Sequence, residues 1–299
     1  MIATTLLWVP FTVLAAAGQT ARNAMQRELT AALGTVGATH VRFLFGFPFA
    51  LVFLAGVVIA TGLSPPTPPL VFWPWVVLGA GAQIVATATM LATMNDRSFV
   101  VTIAYIKTEA IQAALFGLVF LGDRLTPGMV IAILVATAGV IAMSLKGKGA
   151  MEGGYRPVAL GLFSGAMFAL SAVGYRGAIL SLGLPSFVLA ATATVTAGLL
   201  MQAALLTLYL ALRNRAVLAA IVRAWRPSLF AGLMGATASE FWFLAFAITS
   251  VANVRTLALI EVLFAQAISY FVLKQPTTKR DALGISLIVV GVLLLIWVQ

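Results

Sequence analysis

The chain is built from ten apolar runs, each long enough to cross a bilayer and parted from the next by a short gap. They cover residues 2–21, 35–61, 72–94, 99–121, 127–145, 158–182, 186–212, 228–249, 254–273 and 282–298. A helix rises about 1.5 Å per residue, so roughly 20 apolar residues match the hydrocarbon core. Inside lipid every backbone N–H and C=O must be satisfied within the protein, which leaves only helices or a closed barrel. The runs are rich in Leu, Ala and Val and lack the two-residue alternation of barrel strands. The expected fold class is therefore an all-α integral membrane protein with ten transmembrane helices.

Composition removes the alternatives. Of 299 residues, 62% are hydrophobic and 9% charged, with a mean hydropathy of +1.08, whereas a soluble domain carries about a quarter charged residues. A net charge of +10 would suggest nucleic acid in a soluble chain. Here the basic residues fall between apolar runs, as in proteins oriented by the positive-inside rule, and no nucleic-acid partner is expected. The run at 2–21 lacks the basic leader of a signal peptide and counts as a span. There is no cysteine and a single histidine, His40, which reads as a hydrogen-bonded packing residue. No metal, nucleotide or other cofactor is expected, because no phosphate loop or ligand-spaced cluster occurs. An intramembrane enzyme would need a nucleophile and base that the pattern does not offer.

Sliding the second half over the first by 152 residues superposes Ser98 on Ser250, Glu109 on Glu261, Leu121 on Leu273, Thr126 on Thr278 and Gly139 on Gly291. The chain then divides into residues 1–150 and 151–299, each a repeat of five spans. Five is odd, so the copies cross the membrane in opposite senses. Such inverted repeats are a device of secondary transporters with a midplane site.

The stretch from Glu109 through Gly122-Asp123-Arg124-Leu125-Thr126, followed by a small-residue helix with Gly139, resembles the drug/metabolite transporter superfamily in its ten-helix EamA-type form. The segment from Glu261 to Thr278, with Gly284 and Gly291, resembles the same unit. Leu7-Trp8 is similar to the Leu-Trp-Gly of that family's first helix. Ala110 and Val262 stand where the family has proline, Asp123 where it has glutamate, and Lys274-Gln275 where it has Gly-Glu. The resemblance implies a non-enzymatic transporter of small molecules.

A charge at the bilayer centre costs a few kcal/mol, so each needs a partner or a task. Five stand out: Arg42, Lys107, Glu109, Glu240 and Glu261. A carboxylate out of water disfavours its charged form, so it can take up a proton and release it when a cation binds. Glu240 is the favoured proton carrier, because Thr87 or Ala88 stands at its place in the first repeat. Glu109 and Glu261 suit either coupling or helix bonding. Lys107 and Glu109 are two residues apart and face different sides of a helix, so the partner of Lys107 must come from another helix. Arg42 is a candidate for a substrate carboxylate or for neutralising a glutamate. Gln83, Tyr105, Gln112, Trp242, Gln266 and Tyr270 surround these charges as a candidate cage for an amine or a ring. Trp73, Trp75, Trp225 and Trp297 read as headgroup anchors, and Gly161 and Gly165 as a helix-packing step.

The expected function is secondary transport, export of a small amino-acid-like or amine metabolite or drug-like cation by proton antiport across a bacterial-type inner membrane. Protons, the solute and the lipid are the expected partners, and a homodimer is left open. The alternatives are a scaffold or regulator that moves nothing, and a facilitator without proton coupling. Thirteen basic residues in the odd gaps against three counted with the even ones, Arg124, Arg176 and Arg255, place both termini outside the cytoplasm, where the family habit is inside.

Overall fold

The computed structural model describes residues 6–96, 99–144, 155–271 and 278–298, and among them there is helix and no strand. The helices are α1 (Trp8–Leu44), α2 (Gly46–Thr61), α3 (Phe72–Asp96), α4 (Phe99–Ile106), α5 (Glu109–Leu121), α6 (Pro127–Ser144), α7 (Tyr155–Ser181) and α8 (Phe187–Arg213). They continue with α9 (Arg215–Arg223), α10 (Trp225–Ile248), α11 (Val251–Leu257), a 3-10 turn (Ala258–Ile260), α12 (Glu261–Phe271) and α13 (Lys279–Trp297). Six helical stretches are long and apolar enough to cross a membrane: Met25–Thr61, Phe72–Met94, Tyr155–Ser181, Phe187–Arg213, Trp225–Ile248 and Lys279–Trp297. Glu109–Leu121 and Pro127–Met143 are shorter apolar helices. The protein is a multi-pass integral membrane protein.

The first run does not stop at residue 21. Helix α1 continues to Gly34, whose φ of 67° and ψ of 172° interrupt it. That backbone conformation is essentially glycine's own. Gln26 donates to the Ala38 carbonyl at 2.9 Å, although residues twelve apart on a straight helix lie about 18 Å apart. The chain therefore folds back at Gly34, and this turn separates the first two spans. Arg22, expected in the gap, is instead buried within α1.

The runs expected at 99–121 and 254–273 are each broken. In the first, α4 ends at Ile106 and α5 starts at Glu109, with the Ala110 N–H on the Lys107 carbonyl and the Ile111 N–H on that of Thr108. In the second, the 3-10 turn Ala258–Ile260 precedes Glu261. The two interruptions fall at the same place under the 152-residue offset, immediately before the matched glutamates. Thr126 and Thr278, also matched, do the same work. Thr126 accepts from the Met129 N–H, and Thr278 caps α13 in a reciprocal box with Asp281.

Small residues set the closest approaches. A Cβ on Gly139 would lie 2.7 Å from the Gly284 carbonyl, and one on Gly284 would lie 2.6 Å from that of Gly139, so α6 and α13 touch backbone to backbone. Gly161 and Gly165 of α7 seat the first break, against Tyr105 and the Ile106 carbonyl. Trp75 is partly buried and packs on Gly177, so it is a packing residue and not the expected headgroup anchor. Trp73, Trp225 and Trp297 are exposed.

Candidate functional site: a buried charge ring at two broken helices

Glu109 and Glu261 open α5 and α12, where the free N–H groups and the dipole of a helix N-terminus favour an acidic side chain. Between them stands Lys107. Its Nζ lies 2.5 Å from Glu261 Oε2 and 3.7 Å from Glu109 Oε1. Arg255, counted with an even gap in the charge tally, is buried in α11 and places Nη1 3.7 Å from Glu109 Oε1. Its guanidinium also covers the Trp242 ring at 4.7 Å and the Phe246 ring at 5.3 Å. Trp242 donates to Gln19 Oε1 at 3.1 Å, and Gln19 Nε2 donates to Glu261 Oε2 at 3.2 Å. The contacts close a ring through Lys107, Glu109, Arg255, Trp242, Gln19 and Glu261. The Lys107, Glu109 and Glu261 side chains are 2–3% exposed, so these charges are sealed from solvent, while Gln19 is partly exposed.

Two cations and two carboxylates compensate one another here. The face of Trp242 expected to receive an amine is covered by the protein's own Arg255.

Glu240 stands apart from the ring. It lies two residues from Trp242 on α10 and so points to a different side. Its Oε1 accepts from Thr192 of α8 at 2.5 Å, and its Oε2 has no hydrogen-bond partner. Among the described residues no cation bridges it. It lines a groove of about 460 Å³ between α2, α8 and α10, with Phe53, Val57, Thr237 and Phe241.

Arg42 reaches no glutamate among the described residues. Its Nη1 donates to Thr87 Oγ1 at 3.3 Å, and its guanidinium lies 4.9 Å from the Phe43 ring. Gln83 accepts from Gln202 at 2.8 Å. Gln112 donates to the Leu162 carbonyl at 3.4 Å, Tyr105 packs under Gly161, and Gln266 is partly buried. The Tyr270 side chain lies outside the described residues. His40 is buried, with Nε2 3.0 Å from Thr207 Oγ1.

Sequence reasoning missed Gln19, Arg22, Arg255 and Thr192. A signal for the first two was present, since Gln19, Arg22, Asn23 and Gln26 recur at helical spacing and mark one polar face beyond the end assigned to the first run.

At the opposite end of the bundle from the Gly34 turn, a cavity of about 650 Å³ is lined by Leu6, Arg124, Arg176, Thr249, Asn253 and Val298 among others. Arg176 donates to the Phe246 and Thr249 carbonyls at the end of α10 and lies 3.8 Å from Asp123. Burial raises the Asp123 carboxyl above its ordinary range, and Arg176 opposes that shift.

Residues 156–297 match the EamA-like transporter family, and that stretch of the chain belongs to it. The protein is a membrane transporter of the drug/metabolite type and not an enzyme, so its partners are small-molecule substrates and lipid. No curated relative matches the chain. A solved structure described only as "Crystal structure of protein" superposes with a TM-score of 0.68 at 18% identity, covering 99% of this chain and 96% of that one. At that identity the likeness shows a shared fold alone.

Proposed function

We propose that the protein is a secondary active transporter that exchanges protons for a small amino-acid-like metabolite across a bacterial-type inner membrane, exporting it. Its two halves, 1–150 and 151–299, work as inverted five-span repeats. Supporting this, the principal packing pairs exchange under the repeat: α3 with α7 corresponds to α10 with α1, α5 with α7 to α12 with α1, and α6 with α13 and α2 with α8 map onto themselves. An alternating-access cycle needs two such half-structures around one site.

The observation that carries the coupling is the division among the three carboxylates. Glu109 and Glu261 are held by Lys107 and Arg255, while Glu240 has only the Thr192 hydroxyl. A carboxylate without a cation partner can gain and lose a proton without an ion pair being broken, and that makes Glu240 the proton carrier. The ring at the breaks is the element that opens and reseals.

Counterflow of labelled amino acids in proteoliposomes tests the reading. Trans-stimulated uptake that responds to an imposed pH gradient is expected, and empty-liposome rates for every solute would overturn it.

A further inference from the structure

Two of the most deeply buried side chains among the described residues are arginines with no carboxylate at ion-pair distance. Arg22 and Arg42 are each 1% exposed. Arg22 uses Nη2 on Asn23 Oδ1 at 2.7 Å, and its Nε and Nη1 have no partner. Arg42 uses Nη1 on Thr87, and its Nε has none. Among the described residues, no carboxylate lies within 4.0 Å of either guanidinium.

Both stems pass Gly235 of α10: a Cβ there would lie 3.3 Å from Arg22 Cδ, a tight approach, and 3.6 Å from Arg42 Cβ, an ordinary contact. Of the neighbouring ring, Glu261 acts on Arg22 only from beyond ion-pair distance, and both Glu261 and Glu109 are already paired with Lys107 and Arg255. Guanidinium remains charged at any physiological pH, and a buried charge short of a partner is costly at this depth. Arginine's planar fork also fits a carboxylate with two parallel hydrogen bonds. Buried, unsatisfied guanidinium donors on the two arms of α1, one on either side of the Gly34 turn, are what a small anion would complete.

We infer that Arg22 and Arg42 form the anion-binding half of the substrate site and receive the carboxylate of a small organic acid. This rests on the transporter reading and narrows it, excluding simple amines and quaternary cations as the transported solute. Neutralisation by the bound carboxylate makes the loaded protein the better-compensated state, so occupancy favours the compact arrangement.

The test is thermal unfolding of the purified full chain with sodium propionate and sodium benzoate, against propylammonium and benzylammonium chloride, sodium chloride and sodium phosphate at matched ionic strength. The carboxylates are expected to raise the midpoint in a saturable way, and the ammonium salts, chloride and phosphate to leave it unchanged. Arg22→Gln and Arg42→Gln should each weaken the carboxylate effect at least about tenfold, and Arg42→Lys should retain part of it. Should the glutamine variants fail to fold, the wild-type comparison of propionate with propionamide decides, the amide being inert if the guanidiniums bind the charge. Stabilisation by the amines, equal stabilisation by chloride or phosphate, or an undiminished carboxylate effect in the arginine variants would overturn the inference. Carboxylate binding without any solute flux in vesicles would instead leave this site standing and overturn the transporter reading.

Discussion

Lys107 places its ammonium 2.5 Å from the carboxylate of Glu261, 154 positions away in the other half of the chain. The two residues sit at the two helix breaks, so a single ion pair locks the interruptions together. With Glu109 3.7 Å from the same nitrogen, removing the ammonium leaves two buried carboxylates short of a cation. Lys107→Met is expected to lower stability by about 3–5 kcal/mol, the scale for breaking a buried pair from one side. Adding Glu261→Gln should recover part of that loss, read as a coupling energy in a double-mutant cycle of denaturant unfolding. Additive single effects would contradict the pairing.

The fold-back at Gly34 depends on a backbone geometry closed to other residues. Gly34→Ala should cost about 1–3 kcal/mol. Gly56→Ala, at a helical position with open space around the missing Cβ, should be neutral or slightly stabilising. Midpoints of thermal unfolding compare the two directly.

Much of the fold was legible in the sequence, and the part that was not has a physical explanation. Apolar run length marks where helix can sit in lipid, and among the described residues helix occupies those runs. It does not mark where a helix stays in the protein interior with polar residues aboard, so the first run was ended twelve residues early, before Arg22 and Gln26. Lys107 was read as needing a partner from another helix, and Glu261 supplies it. The expectation that Arg42 neutralises a glutamate fails, because the glutamates on the breaks are taken by closer cations. The matched glutamates stood out because a rare residue recurring at a fixed offset is a stronger signal than any apolar pattern. Glu240 and Trp242 were grouped by sequence proximity, and their 200° separation on a helix sends them to different surroundings.

Asp123, in the loop between α5 and α6, gives a pH signature. Burial raises its carboxyl, with Arg176 acting the other way. The folded protein therefore holds this proton more tightly than the unfolded chain. The contribution is complete below the unfolded value and is lost as pH rises through the folded one. Asp123→Asn should flatten the stability profile across that acidic window, and an unchanged slope in pH-dependent unfolding would contradict the assignment.

Leu6 and Val298, the first and last described residues, lie on the side of the even gaps, since they line one cavity with Arg124 and Ser250. Val217 of the basic segment around α9 packs near Gly37, just past the Gly34 turn. Taking the buried Arg22, Arg176 and Arg255 out of the gap count leaves the positive bias on the α9 side intact. A reporter fused after Gln299 should therefore show activity typical of the extracytoplasmic side, and cytoplasmic activity would reverse the orientation.

Proton exchange through Glu240 is tested most directly by solute flux in proteoliposomes under imposed pH gradients, comparing wild type with Glu240→Gln. The account predicts that Glu240→Gln folds, still exchanges labelled solute, and no longer responds to the gradient, while Glu109→Gln and Glu261→Gln chiefly lower yield. An unchanged rate and pH profile in Glu240→Gln, with coupling lost in Glu109→Gln or Glu261→Gln, would contradict it and move the mechanism to the repeated pair.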